Sequence, residues 1–218
     1  MKQKTVFIVT AVLLLLVFAG GAVFFNQRKA EQADQAAAHN REVLVRFHSP
    51  TEGNASAPVH IVEFFDPACG TCREFYPLVK NMLKDNPGKI QLILRYAPLH
   101  PGSDQVVKLL EASRMQGKFW QTLERLLAAQ PNWVINHTSR LDLVWGQLDG
   151  LNLDMARLKE DMNSPEIARV IDQDVADGKA VNVTATPEYF VNGKPLPSFG
   201  YEQLKTLVDD ALRTANAG

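Results

Sequence analysis

The sequence predicts an α/β sandwich with a helical insertion, carried behind one membrane-spanning helix. Three observations predict it. Thr5 to Phe25 is an unbroken run without charge. Between residues 59 and 94 a strand, a Cys-x-x-Cys pair, a helix and a second strand follow one another. A long block of amphipathic helices then gives way, near Thr186, to a strand, a tight turn and a last helix.

A helix needs about 20 apolar residues to cross the hydrocarbon core of a bilayer. Thr5–Phe25 is that long, with Lys2 and Lys4 before it and the polar, basic Asn26-Gln27-Arg28-Lys29 after it. A cleaved signal peptide is the competing reading, because Ala19, Gly20, Gly21 and Ala22 offer small residues. Val23-Phe24-Phe25, however, carries the apolar run past them. Residues 1–29 are therefore read as a membrane anchor (or signal peptide) and residues 30–42, rich in Ala and Gln, as a stalk. Basic residues balance at the two ends of the run, so charge does not set its orientation. The remaining stretch of about 190 residues suffices for one domain with an insertion. It holds 19 basic and 24 acidic residues, a net charge of −5, and no basic stripe with interleaved aromatics, which excludes a nucleic-acid surface.

Val43-Leu44-Val45-Arg46-Phe47 alternates like a short strand, and Ser49–Pro58, with two prolines and Gly53-Asn54, reads as a loop. Val59–Phe65 is β-branched and aromatic, a buried strand that runs straight toward Cys69. Phe75, Val79, Met82 and Leu83 have helical spacing, ending near Asn86-Pro87-Gly88, and Ile90–Leu94 is the next strand. Strand, helix, strand implies a parallel βαβ unit. Helical stripes fill the insertion, about 103–177, and Trp120, Trp133 and Trp145 lie in or beside them as packing residues. Thr186–Val191 reads as a strand, Asn192-Gly193 as a tight turn and Tyr201–Leu212 as an amphipathic helix.

The chain has two cysteines, three apart, too few to staple a secreted domain, so the core supplies stability and the pair is free for chemistry. A strand ending before Cys69 and a helix starting at it place that sulfur at a helix N-terminus. There unpaired N–H groups and the helix dipole favour an anion, here a thiolate. Cys72, one turn in, is more buried and keeps its proton. The asymmetry makes Cys69 the nucleophile and Cys72 the resolving thiol. Gly70 lets the backbone turn without crowding the sulfur, and Thr71 sets a hydroxyl near it. A structural disulfide fits poorly at a strand-to-helix junction, and half of a zinc site lacks a second Cys-x-x-Cys or a His pair. His60, His100 and His137 are isolated in sequence and read as solvated or capping residues.

Glu63-Phe64-Phe65-Asp66-Pro67-Ala68-Cys69-Gly70-Thr71-Cys72 resembles the active-site segment of thioredoxin-fold proteins, especially the DsbA-like oxidoreductases of bacterial envelopes. The similarity continues in Gly117-Lys118-Phe119-Trp120 and in Thr186-Pro187 followed by Tyr189-Phe190-Val191-Asn192-Gly193, covering roughly residues 43–213. The resemblance implies a thioredoxin-like fold over 43–218, a central mixed sheet flanked by helices, with its catalytic domain in the periplasm. It implies a thiol–disulfide oxidoreductase acting on protein thiols and recycled by a membrane partner. No metal and no cofactor beyond the Cys69–Cys72 disulfide is expected.

Residue by residue, Pro187 resembles the cis-proline that faces the disulfide, the one linkage for which cis is cheap; the alternative is a trans proline opening a strand. Thr186 precedes it at the position that tunes redox behaviour. Glu63 matches a buried acid that exchanges protons with the resolving thiol, the alternative being a surface Glu on an edge strand. Arg95 matches a basic residue that pairs with that acid, and Pro77 a proline in the first domain helix. The Gly70-Thr71 dipeptide departs from the histidine-containing dipeptide of the strong oxidants, which leaves oxidase, reductase and isomerase directions open, with the oxidase direction favoured. Two readings of other classes stand beside these: a metal-delivery module on the two sulfurs, and a redox-silent peptide-binding protein.

Overall fold

Runs of β-branched and aromatic residues build a sheet here, and amphipathic stretches cover it. The computed structural model describes residues 2–217, and within the first helix only part of the side chains. Helix α1 (Lys2–Leu44) precedes β1 (Thr51–Gly53), β2 (Val59–Phe65), α2 (Gly70–Asp85) and β3 (Ile90–Tyr96). The insertion comprises α3 (Ser103–Met115), α4 (Phe119–Ala128), α5 (Gln130–Trp133), the ribbon of β4 (Val134–Ile135) and β5 (Thr138–Ser139), α6 (Leu141–Val144), α7 (Met155–Asp161) and α8 (Pro165–Ala180). Strands β6 (Glu188–Val191) and β7 (Lys194–Pro195) and helix α9 (Tyr201–Ala217) complete the order. The main sheet runs β1-β3-β2-β6-β7; β2 and β3 are parallel, and the other pairings are antiparallel. This is the mixed, helix-flanked sheet that the sequence predicts.

Side chains alternate across a strand, so each strand of the sheet serves two compartments. Ile61 and Phe65 of β2, Leu92 and Leu94 of β3 and Tyr189 and Val191 of β6 join the large core with Val79 of α2 and Leu204 and Val208 of α9. Val62, Phe64, Ile93 and Phe190 point the other way and pack with Leu44 at the end of α1. Trp133 is buried with its indole N–H donated to the Leu126 carbonyl at 2.9 Å, a packing role as expected.

Three local expectations are corrected. Residues 43–47 are no strand: Val43 and Leu44 end α1, and Val45 N–H still donates to the Arg41 carbonyl at 3.1 Å. The reason lies outside the local pattern. The last carbonyls of a helix lack partners, and the Arg95 guanidinium takes those of Val43 and Leu44 at 2.8 and 2.7 Å. Inside the stretch read as a loop, Thr51–Gly53 forms β1, pairing Thr51 with Ile93 and Gly53 with Gln91. The strand expected from Thr186 begins at Glu188.

The stretch expected as a stalk is helical, and its last turns lie against the sheet. Asn40 donates to the Gly193 carbonyl at 3.0 Å, Arg41 donates to Asn192 O at 2.9 Å, and Ala37 is buried. Gly193 has φ +85°, and a Cβ there would collide with the Ala37 carbonyl, so glycine is what lets α1 approach the β6–β7 turn. The expected anchor run, Thr5–Phe25, falls mostly outside the described side chains. Among the described residues no helix is long and apolar enough to cross a membrane.

A buried ion network holds the chain leaving α1 to the sheet. Arg95 has no exposed surface; its Nε reaches Asp174 at 2.8 Å and an Nη reaches Asp177 at 2.5 Å. Asp174 also accepts from Tyr96 N–H at 2.8 Å and bonds His48 at 2.6 Å, while Arg46 forks onto Asp177 with two 2.8 Å bonds. Burial alone would raise the Asp177 carboxyl, but hydrogen bonds from Arg46, Arg95 and Gln173 outweigh it and hold it at about 2. Its stabilising effect is therefore complete above the unfolded value near 4 and is lost as pH falls through about 2. Removing one partner of a buried pair strands the other charge, at a cost of about 3–5 kcal/mol. Asp174→Ala is expected to destabilise the protein by that order, read as a lowered urea midpoint with an unchanged slope.

Candidate active site at the Cys69–Cys72 dithiol

Strand β2 delivers the chain to a tight turn, Asp66–Cys69, and α2 starts directly after it. Cys69 N–H donates to Asp66 O at 3.0 Å and Ala68 N–H to Asp66 Oδ1 at 2.8 Å, an Asx turn. Cys69 is the N-cap of α2 (φ −74°, ψ 120°), and its sulfur accepts from Cys72 N–H at 3.4 Å. The cap role that Ser or Asp usually fills is thus given to a sulfur. Across from it stands the cis peptide Thr186–Pro187, and in its protonated form the Cys69 thiol donates to the Thr186 carbonyl at 3.2 Å. The structure thereby brings Cys69, Cys72, Thr186 and Pro187 together, with Gly70 exposed and Thr71 half-buried beside the sulfur. Pro77 lies exposed inside α2, away from the dithiol.

The two sulfurs are chemically opposite. The Cys72 thiol, hydrogen-bonded to Cys69, pulls the Cys69 thiol down to about 5. Burial opposes this, while the Thr186 side chain and the N–H groups of Cys72 and Thr71 add to it. Burial pushes Cys72 well above the ordinary thiol value, and its bond to Cys69 and the nearby Glu63 push it further. At neutral pH the pair therefore holds one thiolate on Cys69 and one proton on Cys72. Cys69 is less open than the sequence suggests, with 5% of its surface exposed against none for Cys72. Its opening faces a shallow cleft of about 560 Å³ walled by Gly70, Thr71, Glu74, Leu99, His100, His137, Ala185 and Thr186.

Two residues of that wall, His100 and His137, are isolated in sequence, where solvated or capping roles are expected of them. His100 lines the cleft because Asp66 holds it: Asp66 Oδ2 receives Leu99 N–H at 2.7 Å, His100 N–H at 2.8 Å and His100 Nδ1 at 2.8 Å. His137 lies against it, ring centroids 6.4 Å apart. His60 is elsewhere, half-buried on β2. Gln130 was missed altogether; its amide donates to Pro67 O at 2.8 Å and Cys69 O at 3.0 Å, clamping the active-site turn from the insertion. An Asp directly after a strand and two residues before an Ala N–H was the available signal for Asp66. Gln130 carried none, being 61 residues away from its partner. Among the described residues no group of three His, Cys, Asp or Glu is placed to hold a metal ion.

Glu63 lies on β2, the middle strand, with no exposed surface, so the edge-strand alternative does not apply. Its register partners are Leu94 on one side and Tyr189 on the other. Burial raises the Glu63 carboxyl to about 8, against a smaller lowering by the Tyr189 hydroxyl and with a further rise from Cys69. The expected pairing of Glu63 with Arg95 is not formed. Arg95 lies one residue past Leu94, so alternation sends it through the sheet to Asp174 and Asp177. Phe75 stacks on Tyr189 (6.0 Å) and meets the exposed Phe199 at a tilt (4.8 Å).

A strand that ends in a redox-poised Cys-x-x-Cys, capped by a helix and faced by a cis-proline, defines a thioredoxin-like dithiol protein. The chain belongs to the thioredoxin family, whose model matches residues 47–210. It is 28% identical over 171 residues to the "Probable disulfide bond formation protein D" of Bacillus anthracis, covering 74% of this chain and 77% of that protein. The crystal structure of a thioredoxin-like oxidoreductase from Silicibacter pomeroyi superposes with a TM-score of 0.69 at 28% identity, covering 79% of this chain and 98% of that one. The Na(+)/H(+) antiporter NhaA 3 of Salinispora tropica is 32% identical over 149 residues, but the chain spans only 21% of its length. The DsbA-like resemblance drawn from the motifs is thus met by a disulfide-bond protein and a thioredoxin-like oxidoreductase.

Because only Cys69 holds a thiolate, brief alkylation at neutral pH is expected to label Cys69 almost alone. The rate should fall as pH drops through about 5, where that thiolate gains its proton. Peptide mass mapping of a pH series checks both, and equal labelling of the two sulfurs would reverse the roles.

Proposed function

We propose that the protein is an extracytoplasmic thiol–disulfide oxidoreductase that exchanges its Cys69–Cys72 disulfide with protein thiols, working mainly as an oxidase. The observation that carries this reading is the division of labour at the dithiol: a stabilised thiolate on Cys69 beside the cis-proline, and a buried, protonated Cys72. A substrate thiolate attacks Cys69 Sγ, and the S–S bond to Cys72 breaks. Cys72 leaves as a thiolate and takes a proton from Glu63. A second substrate thiolate then attacks the substrate sulfur of the mixed disulfide, and Cys69 departs as a thiolate. The substrate dithiol loses two electrons and the Cys69–Cys72 pair gains them. No cofactor enters this scheme.

The oxidase direction is supported by the low value at Cys69. A stabilised thiolate favours the reduced form of the couple, which makes it the stronger oxidant. Its value of about 5 lies between about 7 for thioredoxin and about 3.5 for DsbA. The potential is accordingly expected between about −270 and −120 mV, measured by equilibration with glutathione. Thr71→His should move it upward by several tens of millivolts, the order that one charge-assisted hydrogen bond supplies. A wild-type couple as reducing as thioredoxin would replace the oxidase with a reductase or isomerase.

Residues 1–29 are proposed as an uncleaved anchor that keeps the dithiol near a recycling partner in the membrane. Its support is the uncharged run Thr5–Phe25 together with Leu13, Leu14, Leu15, Val17, Phe18, Phe24 and Phe25, all exposed on α1 in a patch that water disfavours. The intact protein is then expected to stay in the membrane fraction through salt and alkaline washes. A soluble mature form starting near residue 22 would make this run a signal peptide.

Cys72→Ser removes internal release of the mixed disulfide, so covalent complexes with substrate proteins are expected to accumulate on Cys69. Non-reducing gels of cell-envelope extracts show them. With Cys69 reactive and no such complexes present, the metal-delivery reading gains and the exchange reading falls.

A further inference from the structure

Glu63 and Tyr189 face each other on neighbouring strands, on the side of the sheet covered by α2 and α9. Both side chains are buried with no exposed surface. Neither carboxyl oxygen of Glu63, nor the Tyr189 hydroxyl, has a partner in full hydrogen-bonding geometry. They are register partners on neighbouring strands, so an unpaired buried donor stands opposite an unpaired buried acceptor. The other titratable groups coupled to this pair are Cys69, the N-cap of α2, and Cys72 and Tyr76 within that helix. Strand β3 offers only Leu94 across from Glu63, because Arg95 is committed to Asp174 and Asp177 on the opposite face. From α9 the apolar Leu204 and Val208 are buried in this core, and the half-buried Tyr201 packs against it. The basic partner that Arg95 was expected to supply is therefore replaced, at this place in the sheet, by a phenol.

We propose that Tyr189 is a positioning residue for the dithiol: its hydroxyl, unpaired opposite Glu63, turns to donate to that carboxylate when the acid ionises and keeps it able to exchange a proton with the buried Cys72 sulfur. The inference rests on the exchange reading above and deepens it. A phenol suits the position because it is neutral and does not titrate under these conditions; burial, Glu63 and Cys72 all push its own proton loss upward. A donor without charge stabilises the carboxylate less than a guanidinium would, so the acid stays protonated near neutrality yet ionises within about a unit of it. When a mixed disulfide sits on Cys69, Glu63 in its ionised form takes the Cys72 proton. The Cys72 thiolate attacks Cys69 Sγ, the Cys69–Cys72 bond forms, and the substrate leaves as a thiolate. In the opposite direction Glu63 returns the proton to Cys72.

Tyr189→Phe deletes one oxygen and keeps the ring that Phe75 stacks on. The reduced full-length protein, wild type and variant, is titrated by infrared spectroscopy at the carboxyl stretch, with Glu63→Gln identifying the band. Wild-type Glu63 is expected to titrate near 8. Tyr189→Phe is expected to raise it by about one unit, a tenfold loss of the ionised fraction, as the loss of one donor to a charged group implies. The pH profile of mixed-disulfide release should move up with it, and Tyr189→Phe should have no further effect in the Glu63→Gln background. An unmoved carboxyl titration, or an equal effect of Tyr189→Phe with and without Glu63, overturns the proposal. The infrared titration needs no exchange activity, so an inactive dithiol with a shifted carboxyl would remove the exchange reading and leave the Tyr189–Glu63 contact standing. Should Tyr189→Phe not fold, Tyr189→Leu gives the same carboxyl readout.

Discussion

The geometry at the sulfurs depends on one buried carboxylate. Asp66 stands where β2 ends and accepts from Ala68 N–H in its own turn, from Leu99 and His100 N–H in the segment after β3, and from the Ser103 hydroxyl at the start of α3. Two parallel strands end side by side, and their following segments would diverge without a common acceptor. Asp66 supplies it, and so the turn that carries Cys69 is tied to the first helix of the insertion. Gln130 closes the arrangement from the far side by holding the Pro67 and Cys69 carbonyls. A carboxylate with this many donors is satisfied inside the protein. An alanine there would leave the buried Ala68 N–H unpaired, at about 1–3 kcal/mol, and release the part-buried N–H groups of Leu99 and His100.

The period of two along β2 and β3 sorts the charged residues of the sheet into two unrelated tasks. On the α2 and α9 face Glu63 acts on Cys72, and the groups that shift its own carboxyl include no cation among the described residues. On the other face Arg95 gathers Asp174, Asp177 and the carbonyls that end α1, and Arg46 and His48 join it from the segment after that helix. Had Arg95 stood at position 94 or 96, its charge would lie on the Glu63 side and depress that acid far below neutrality. The register therefore protects a proton-holding carboxyl from a guanidinium one residue away. It also ties the helix leading from the N-terminal segment to the strand beside the catalytic one.

Much of this was legible in the sequence because the signals were local. The β-branched run before Cys69, the helical spacing after Cys72 and the Asn192-Gly193 turn each state their structure within a few residues, and the observed elements follow them. The strand-to-helix junction indicates the asymmetry of the two sulfurs, but the largest contributions to it are the Cys72 thiol at Cys69 and burial at Cys72. What escaped reading depends on partners distant in sequence. Val43–Phe47 alternates as a strand would, but its carbonyls belong to Arg95, about 51 residues on, and Arg46 belongs to Asp177. His100 and His137 look isolated along the chain and meet only when the insertion folds back over the cleft. Glu63 and Arg95 look like a pair until the register is known.

The Gly70-Thr71 dipeptide raises the question of how Cys69 reaches so low a value without a histidine between the cysteines. The structure answers with several small contributions. The Cys72 thiol gives the largest, and the Thr186 side chain and two N–H groups of the first helical turn add theirs, together outweighing the burial that opposes them. These donors differ from a histidine in one physical respect: none carries a charge that titrates between pH 5 and 8, the range in which imidazole loses its proton. A thiolate stabilised by a histidine loses part of that support as the medium turns alkaline, whereas one held by neutral dipoles keeps it. The Cys69 couple should then follow the ordinary pH slope of a dithiol across the neutral range, until Glu63 ionises near 8 and places a negative charge beneath Cys72. Above about pH 5, where Cys69 is already a thiolate, the buried acid rather than the dipeptide is the group through which pH reaches this dithiol.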